Sequence, residues 1–329
     1  MDYERIASEL VRALRGRRSQ TAFSRRLGYK SNVVYRWESG RAWPTAAKFF
    51  AAARRVGVDL EAGLCRFYRS PPSRLLGVNL TRPDGVALLL RELRGSTPIG
   101  ELAQRARRSR FAVSRWLKGE AEPRLPELLL LVEAASLRLL DFLAIFTDLA
   151  GLASVADDWA TLQAARECAY SVPWSHAVLR VLELDAYTAL ERHEPGWIAR
   201  HLGISTDEES RCLDLLARTG QVRRRRGKWV VDDARTVDTR ADPERSRQLR
   251  LWWARTALDR AARGSPHQLS YNLFSVSAAD YDRILELYRS FFAQMRAIIA
   301  DSSPNERVVL FSSLTVPLEP DVAAADDAR

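Results

Sequence analysis

The sequence predicts a mainly helical protein with a repeated front and a small α+β end, and three observations carry that expectation. A stretch near the N-terminus matches a later one without gaps at an offset of 79 residues. Apolar residues recur at helical spacing along most of the chain, and strand-like segments are short and confined to the part after about residue 220. The expected order is two tandem copies of one helical domain over 1–70 and 71–150, then a helical linker and a segment closed by a two-stranded hairpin over 151–240. A small α+β domain over 241–329 follows, with a disordered tail.

Composition narrows the class. The chain has 329 residues, 47% of them hydrophobic, enough for several cores. No apolar run reaches the roughly 18 residues of a membrane helix. The charged start from Met1 to Leu10 is not a signal peptide, so the expectation is a cytoplasmic protein without a membrane partner. Cys65, Cys168 and Cys212 are odd in number and far apart, which favours neither a disulfide framework nor a metal site. Basic residues are 47 Arg and 4 Lys, a bias that reflects a GC-rich genome, so their placement says more than their number. Residues 1–75 hold 16 basic and 6 acidic side chains, 76–150 hold 11 and 9, and 151–329 hold 24 and 26. The whole net charge of +10 therefore belongs to the first segment.

The repeat sets Leu10-Val11-Arg12-Ala13-Leu14-Arg15-Gly16 on Leu89-Leu90-Arg91-Glu92-Leu93-Arg94-Gly95. The register continues through Arg36-Trp37 on Arg115-Trp116, Gly40 on Gly119, Pro44 on Pro123 and Leu60 on Leu139, with 13 identities over residues 10–60. In the first copy Ile6, Leu10 and Leu14 mark one face of a helix that stops at Gly16. Ser19 is an N-cap for a second helix carrying Phe23 and Leu27 and ending at Gly28. Ser31 opens a third, with Val34 and Trp37 inward and Ser31, Asn32, Val33, Tyr35 and Arg36 outward. Gly40 stops it, and Pro44 precedes a fourth helix through Phe49 and Val56.

Helix, tight turn, helix is the arrangement that lays one helix across phosphates and its successor in the major groove. The stretch from Ser19 and Gln20 to Arg36-Trp37-Glu38-Ser39-Gly40 and Pro44 resembles the Cro/C1-type (XRE) helix-turn-helix family over about 55 residues. That resemblance implies a sequence-specific regulator of transcription, of bacterial type, with double-stranded DNA as its partner. It implies contacts from Gln20 and Thr21 at the start of the second helix, base-facing Ser31, Asn32, Val33 and Tyr35, and Arg36 and Arg41 near the backbone. The chemistry agrees: Asn pairs bidentately with adenine, valine methyls meet a thymine methyl, and Arg supplies phosphate charge. A capping role for Asn32 and sideways packing of Tyr35 are the plainer readings.

The second copy departs from the pattern. Ile99 replaces the Gln, Arg107 the turn glycine, and Leu117-Lys118 the Glu-Ser pair, while Val113 and Trp116 keep the core. Its exposed candidates are Arg110, Phe111, Ser114 and Arg115; DNA contact and a structural or dimerising role both remain open. Ser70-Pro71-Pro72-Ser73 and Arg82-Pro83-Asp84-Gly85 read as turns in a stiff connector.

Farther on, a helix near 155–170 leads to Pro173. Residues 174–192 then read as helical, Trp197–Leu202 and Thr206–Ala217 as two more helices, and Gln221–Val231 as a hairpin turning at Arg226-Gly227. This is a winged-helix-like order, with Arg223, Arg224, Arg225, Arg226 and Lys228 as candidate phosphate contacts or as a solvated edge. Asp207-Glu208-Glu209 at the start of the longer helix argues against groove reading there. The last third predicts a helix from Pro243, a strand near 268–276, a helix from the Ser277–Asp280 capping box to about Ile299, and a strand over 307–317 paired with the first. From about Trp174 to Leu318 this order, with Phe311-Ser312-Ser313-Leu314-Thr315-Val316-Pro317, resembles a C-terminal domain of unknown function found in bacterial regulators.

An enzyme has little support. His176, His193, His201 and His267 show no ligand spacing, and there is no Gly-rich phosphate loop and no nucleophile with a nearby base, so no catalytic residue, metal or cofactor is expected. The C-terminal half is expected to oligomerise, giving a homodimer, or to receive an unknown effector. The alternatives are a protein-interaction scaffold on the same fold and, further off, a nucleic-acid-processing enzyme.

Overall fold

The computed structural model describes residues 1–68, 75–95, 97–231, 239, 242–264, 268–300 and 302–318. The Ser70–Ser73 connector, His267 and the C-terminal tail lie outside them. The chain is mainly helical and divides into two compact units. One gathers the described residues of Met1–Cys168, Arg218–Gln221 and Asp233–Pro243, the other those of Ala169–Ala217, Val222–Asp232 and Glu244–Arg329.

The first unit opens with α1 (Tyr3–Arg15), capped by the Asp2 carboxylate and stopped at Gly16 with φ 60°. Then come α2 (Gln20–Arg26), capped by the Ser19 hydroxyl, α3 (Val33–Glu38), α4 (Ala46–Arg55) and α5 (Leu60–Tyr68). The second copy repeats them as α6 (Pro83–Arg94), α7 (Ile99–Arg105), α8 (Arg110–Lys118), α9 (Leu125–Ser136) and α10 (Leu139–Leu143). Arg82-Pro83-Asp84-Gly85 does not form the expected turn. Pro83 occupies the first turn of α6, where its missing N–H costs nothing and its fixed φ suits a helix.

The 79-residue offset holds at the level of single backbone bonds. Tyr29 N donates to Ser24 O and Arg108 N to Ala103 O; Arg41 N donates to Arg36 O and Glu120 N to Arg115 O. Even the turn between the second and third helices is kept, since Gly28 has φ 89° and its counterpart Arg107 φ 46°. Arg107 thus holds a left-handed conformation without the freedom of glycine.

Both copies share one core. Phe49 and Phe50 of α4 meet Phe146 at ring-centroid distances of 4.8 and 6.1 Å, and Phe142 of α10 stands 5.9 Å from Phe67 of α5. Arg138 donates to Phe67 O at 2.6 Å, and both Arg138 and Arg166 pair with Asp141 inside this seam.

Helix α11 (Ala156–Ser171) leads toward the second unit, where α12 (Trp174–Leu182) and α13 (Asp185–Thr188) replace the single helix expected over 174–192. The break falls at Leu184, whose extended backbone opens α13. Then follow α14 (Trp197–Leu202), α15 (Thr206–Arg218), the antiparallel hairpin β1 (Val222–Arg225) and β2 (Lys228–Val231), α16 (Pro243–Ala262) and α17 (Ala278–Ala300). Arg226 and Gly227, both at positive φ, make the two-residue turn. Trp174 stacks edge-on against Trp252 and Trp253 at 5.4 and 5.5 Å, fastening α16 to α12.

The strands expected at 268–276 and 307–317 are not formed: among the described residues the only sheet is the β1–β2 hairpin. The alternation of Leu269, Tyr271 and Leu273 suggests one buried face, yet Tyr271 is 96% exposed and no strand faces it.

A shared core makes the two copies one cooperative unit. Phe50→Ala, which empties a position 1% exposed, is expected to cost about 3–5 kcal/mol and to lower a single melting transition for the whole front. Separate transitions for the two copies in calorimetry would contradict this.

Candidate nucleic-acid interface

The third helix of the first copy is held from behind by a buried carboxylate. Glu38, with a side chain 3% exposed, receives Arg15 through Nε at 2.5 Å and Nη2 at 3.3 Å, and Gln20 through Nε2 at 2.8 Å; Arg12 lies at 3.9 Å. Helices α1, α2 and α3 thus meet at one charge. Its burial is legible in hindsight, because Val34, Trp37 and Glu38 have the i, i+3, i+4 spacing of one helix face. Gln20, expected at DNA, has its amide nitrogen bonded to this carboxylate.

Helix α3 begins at Val33, two residues later than the sequence suggests. Asn32 is its N-cap: Oδ1 accepts from Tyr35 N at 3.2 Å and from the Ser24 hydroxyl at 3.2 Å. Ser24 Oγ also accepts from Val34 N at 3.1 Å, locking the start of α3 to α2. With both acceptor positions of Oδ1 engaged, bidentate pairing with adenine requires the cap to open.

What remains outward is basic and partly aromatic. Thr21, Ser31, Tyr35, Arg36 and Arg41 are exposed and Val33 is half-buried. Arg41 lies over the Tyr35 ring at 5.4 Å. From Arg17 to Arg41 the chain has seven basic residues, all exposed, and one carboxylate, the buried Glu38. No acidic side chain of this stretch offsets the positive surface.

In the second copy Leu117 and Ile99 stand where Glu38 and Gln20 do, and Arg94, the counterpart of Arg15, buries its Nε without a partner. Helix α8 starts two residues earlier than α3 in the shared register because Ser109 caps it, accepting from Ala112 N at 3.2 Å. Arg110, Phe111 and Arg115 are exposed and Ser114 is half-buried; Arg115 lies over the Phe111 ring at 5.7 Å. Glu120 takes the place of Arg41 and is flanked by Arg115 and Lys118 at 3.9 and 3.8 Å.

In the second unit, Glu209 is buried and accepts from Gly196 N at 3.0 Å and Ala199 N at 2.5 Å, so part of the acidic start of α15 serves to cap α14. His193 stands between Glu209, 3.4 Å from Nε2, and the Tyr187 hydroxyl, 3.2 Å from Nδ1. Burial lowers the His193 pKa against the pull of Glu209, and burial beside Arg180 brings His176 down to about 4. His201 stacks on Trp197 at 3.7 Å. These are packing roles, and no group of three or more metal-ligating side chains occurs among the described residues. On the hairpin Arg223–Arg226 are exposed, Arg224 lies over Trp229, and Lys228 Nζ donates to Thr188 O at 2.7 Å.

Residues 11–62 match the family described as Helix-turn-helix. The front of the chain carries a Cro/C1-type helix-turn-helix domain. Residues 156–318 match a Domain of unknown function (DUF4423). No curated protein and no solved structure matches the chain. The helix-turn-helix match covers α2 and α3 and ends in α5, so the Glu38 contacts and the Asn32 cap belong to the matched domain. The second copy lies outside both matches and is identified by its offset-79 geometry. Among the described residues no helix is long and apolar enough to cross a membrane.

Two variants test the role of Glu38. Glu38→Ala leaves Arg15 and Gln20 facing a buried void and is expected to cost about 3–5 kcal/mol. Glu38→Leu combined with Gln20→Ile, the solution already present in the second copy, is expected to recover most of that in denaturant titrations. Equal stability of Glu38→Ala and the wild type would remove the carboxylate from its central position.

Proposed function

We propose that the chain is a sequence-specific DNA-binding regulator of transcription whose helix α3 enters the major groove. The observation that carries this reading is the surface from Arg17 to Arg41, where every basic side chain is exposed and the lone carboxylate is buried and paired. Ser31, Val33 and Tyr35 face the base edges, Arg36 and Arg41 the backbone, and Thr21 a phosphate near the start of α2. Gln20 and Asn32 set the position of α3 and reach DNA only with the atoms that Glu38, Ser24 and Tyr35 leave open. Arg225 and Arg226 at the hairpin tip are available to a flanking phosphate. The matched helix-turn-helix fold is one of DNA-binding regulators rather than of enzymes.

Binding should be strongly salt dependent. With about five phosphate contacts, log affinity against log salt has an expected slope of about −4.5, from about 0.9 per contact. Tyr35→Ala should erode the preference for specific over random DNA, and Arg41→Ala should weaken both alike. Asn32→Ala should cost about 1 kcal/mol of stability through the lost cap. A slope near zero, measured by fluorescence anisotropy, would favour the protein-interaction scaffold instead.

The C-terminal half is proposed to hold a homodimer or receive an effector, within a four-part organisation of two helix-turn-helix domains, a winged-helix-like segment and a C-terminal domain. The supporting observation is apolar exposure on α17 and the segment after it, with Leu287, Ile298, Val309 and Leu314 all uncovered. Leu287→Arg with Ile298→Arg should convert a dimer to a monomer in sedimentation velocity. An unchanged sedimentation coefficient would count against assembly through this face.

A further inference from the structure

The two helix-turn-helix copies are joined by a local two-fold axis. Thr45 and Arg124 form an antiparallel bridge, and Arg124 is the residue 79 positions after Thr45, so the bridge joins a position to its own counterpart. The flanking bonds obey the same exchange. Ala46 N donates to Pro123 O and Leu125 N donates to Pro44 O, both at 2.9 Å, and swapping the copies turns one bond into the other. The helices follow suit: α4 packs on its counterpart α9, while α1 packs on α9 and α6, the counterpart of α1, packs on α4. Copies related by simple translation would make head-to-tail contacts between different surfaces, whereas reciprocal contacts of one surface with itself are the signature of an isologous, two-fold joint.

We infer that a single chain is a complete two-fold DNA reader, an intramolecular pseudo-dimer whose α3 and α8 take the two halves of one asymmetric site in inverted orientation. This rests on the reading of α3 as a recognition helix. The two-fold reverses α8 relative to α3, so the halves run toward each other rather than repeating head to tail. Their sequences differ because the presented side chains differ. Arg110 offers a bidentate guanidinium suited to guanine, and Phe111, 72% exposed under Arg115, offers an apolar surface suited to a thymine methyl. Glu120 in place of Arg41 makes the α8 half poorer in phosphate contacts, so α3 supplies more of the general affinity and α8 more of the discrimination.

The test uses the full-length protein and the sequence it selects from random DNA. Titration well above the dissociation constant should give one site per chain, whatever the number of chains held together elsewhere. The two halves placed as an inverted pair should bind at least tenfold more tightly than the same halves as a direct repeat. Arg110→Ala with Phe111→Ala, two exposed positions, should abolish discrimination in one half only and shorten the footprint. Grafting the α3 face onto α8 (Arg110→Ser, Phe111→Asn, Ala112→Val, Ser114→Tyr) should change the selected site to a palindrome. One site per two chains, a symmetric site for the wild type, or a footprint unaffected by the Arg110 and Phe111 changes would overturn the inference while leaving α3 as a reader. Loss of all sequence-selective binding only in Tyr35→Ala would confirm α3 in that case. Absence of salt-dependent DNA binding by the wild type would overturn the DNA reading itself, and this inference with it.

Discussion

The buried Glu38 carboxylate fixes the geometry of the front domain. A charge placed in the interior must be matched by donors that arrive from definite directions, and here they come from α1 and α2 onto α3. The pitch of α3 against its neighbours is therefore set by hydrogen-bond geometry as well as by packing, and the same carboxylate is removed from the surface where it would repel phosphate. The second copy reaches the same fold with Leu117 and Ile99 at these positions. Comparison of the two shows that the ionic solution is not needed for folding as such. An apolar pair fills the space but leaves Arg94 with a buried, unpartnered Nε, whereas the ionic set ties three helices to one point.

Much of this was legible in the sequence, for reasons particular residues make plain. The repeat was visible because turn chemistry is local: Gly16 and Gly95, Gly40 and Gly119, Pro44 and Pro123 occupy positions where few residues serve. Ser19 announced a helix start for the same reason. The role of Asn32 was ambiguous because an amide suits a helix cap and a base edge equally well, and only the approach of the Ser24 hydroxyl from the preceding helix accounts for both acceptor positions. The bond from Gln20 to Glu38 was not legible because the two residues are 18 positions apart. The segments 268–276 and 307–317 misled because alternation reports a preference for a pleated surface, while a strand exists only when something pairs with it.

In the second unit the acidic start of α15 carries a similar lesson. Three consecutive carboxylates look like a solvated helix end favoured by the dipole, and the exposed Asp207 fits that description. Glu209 does not, because it turns inward to close the N-terminus of α14 and to face His193, linking α14, α15 and the loop between α13 and α14. A charge run can thus divide its members between solvent and scaffold, and the division follows helical phase.

The joint between the copies has a consequence for how this chain varies. In a dimer of identical subunits, any substitution on the axis appears twice and must be accepted on both sides at once. Here the two sides are encoded separately. Glu122 caps Ala47 N at 2.5 Å, while the residues at the mirrored positions are Trp43 and Pro126, which has no N–H to cap. Each side has changed without requiring the other to follow, and the backbone bonds at the axis have survived. Covalent linkage releases the surface from the need to complement itself, so the two copies can differ in side chain at the joint while sharing its backbone bonds.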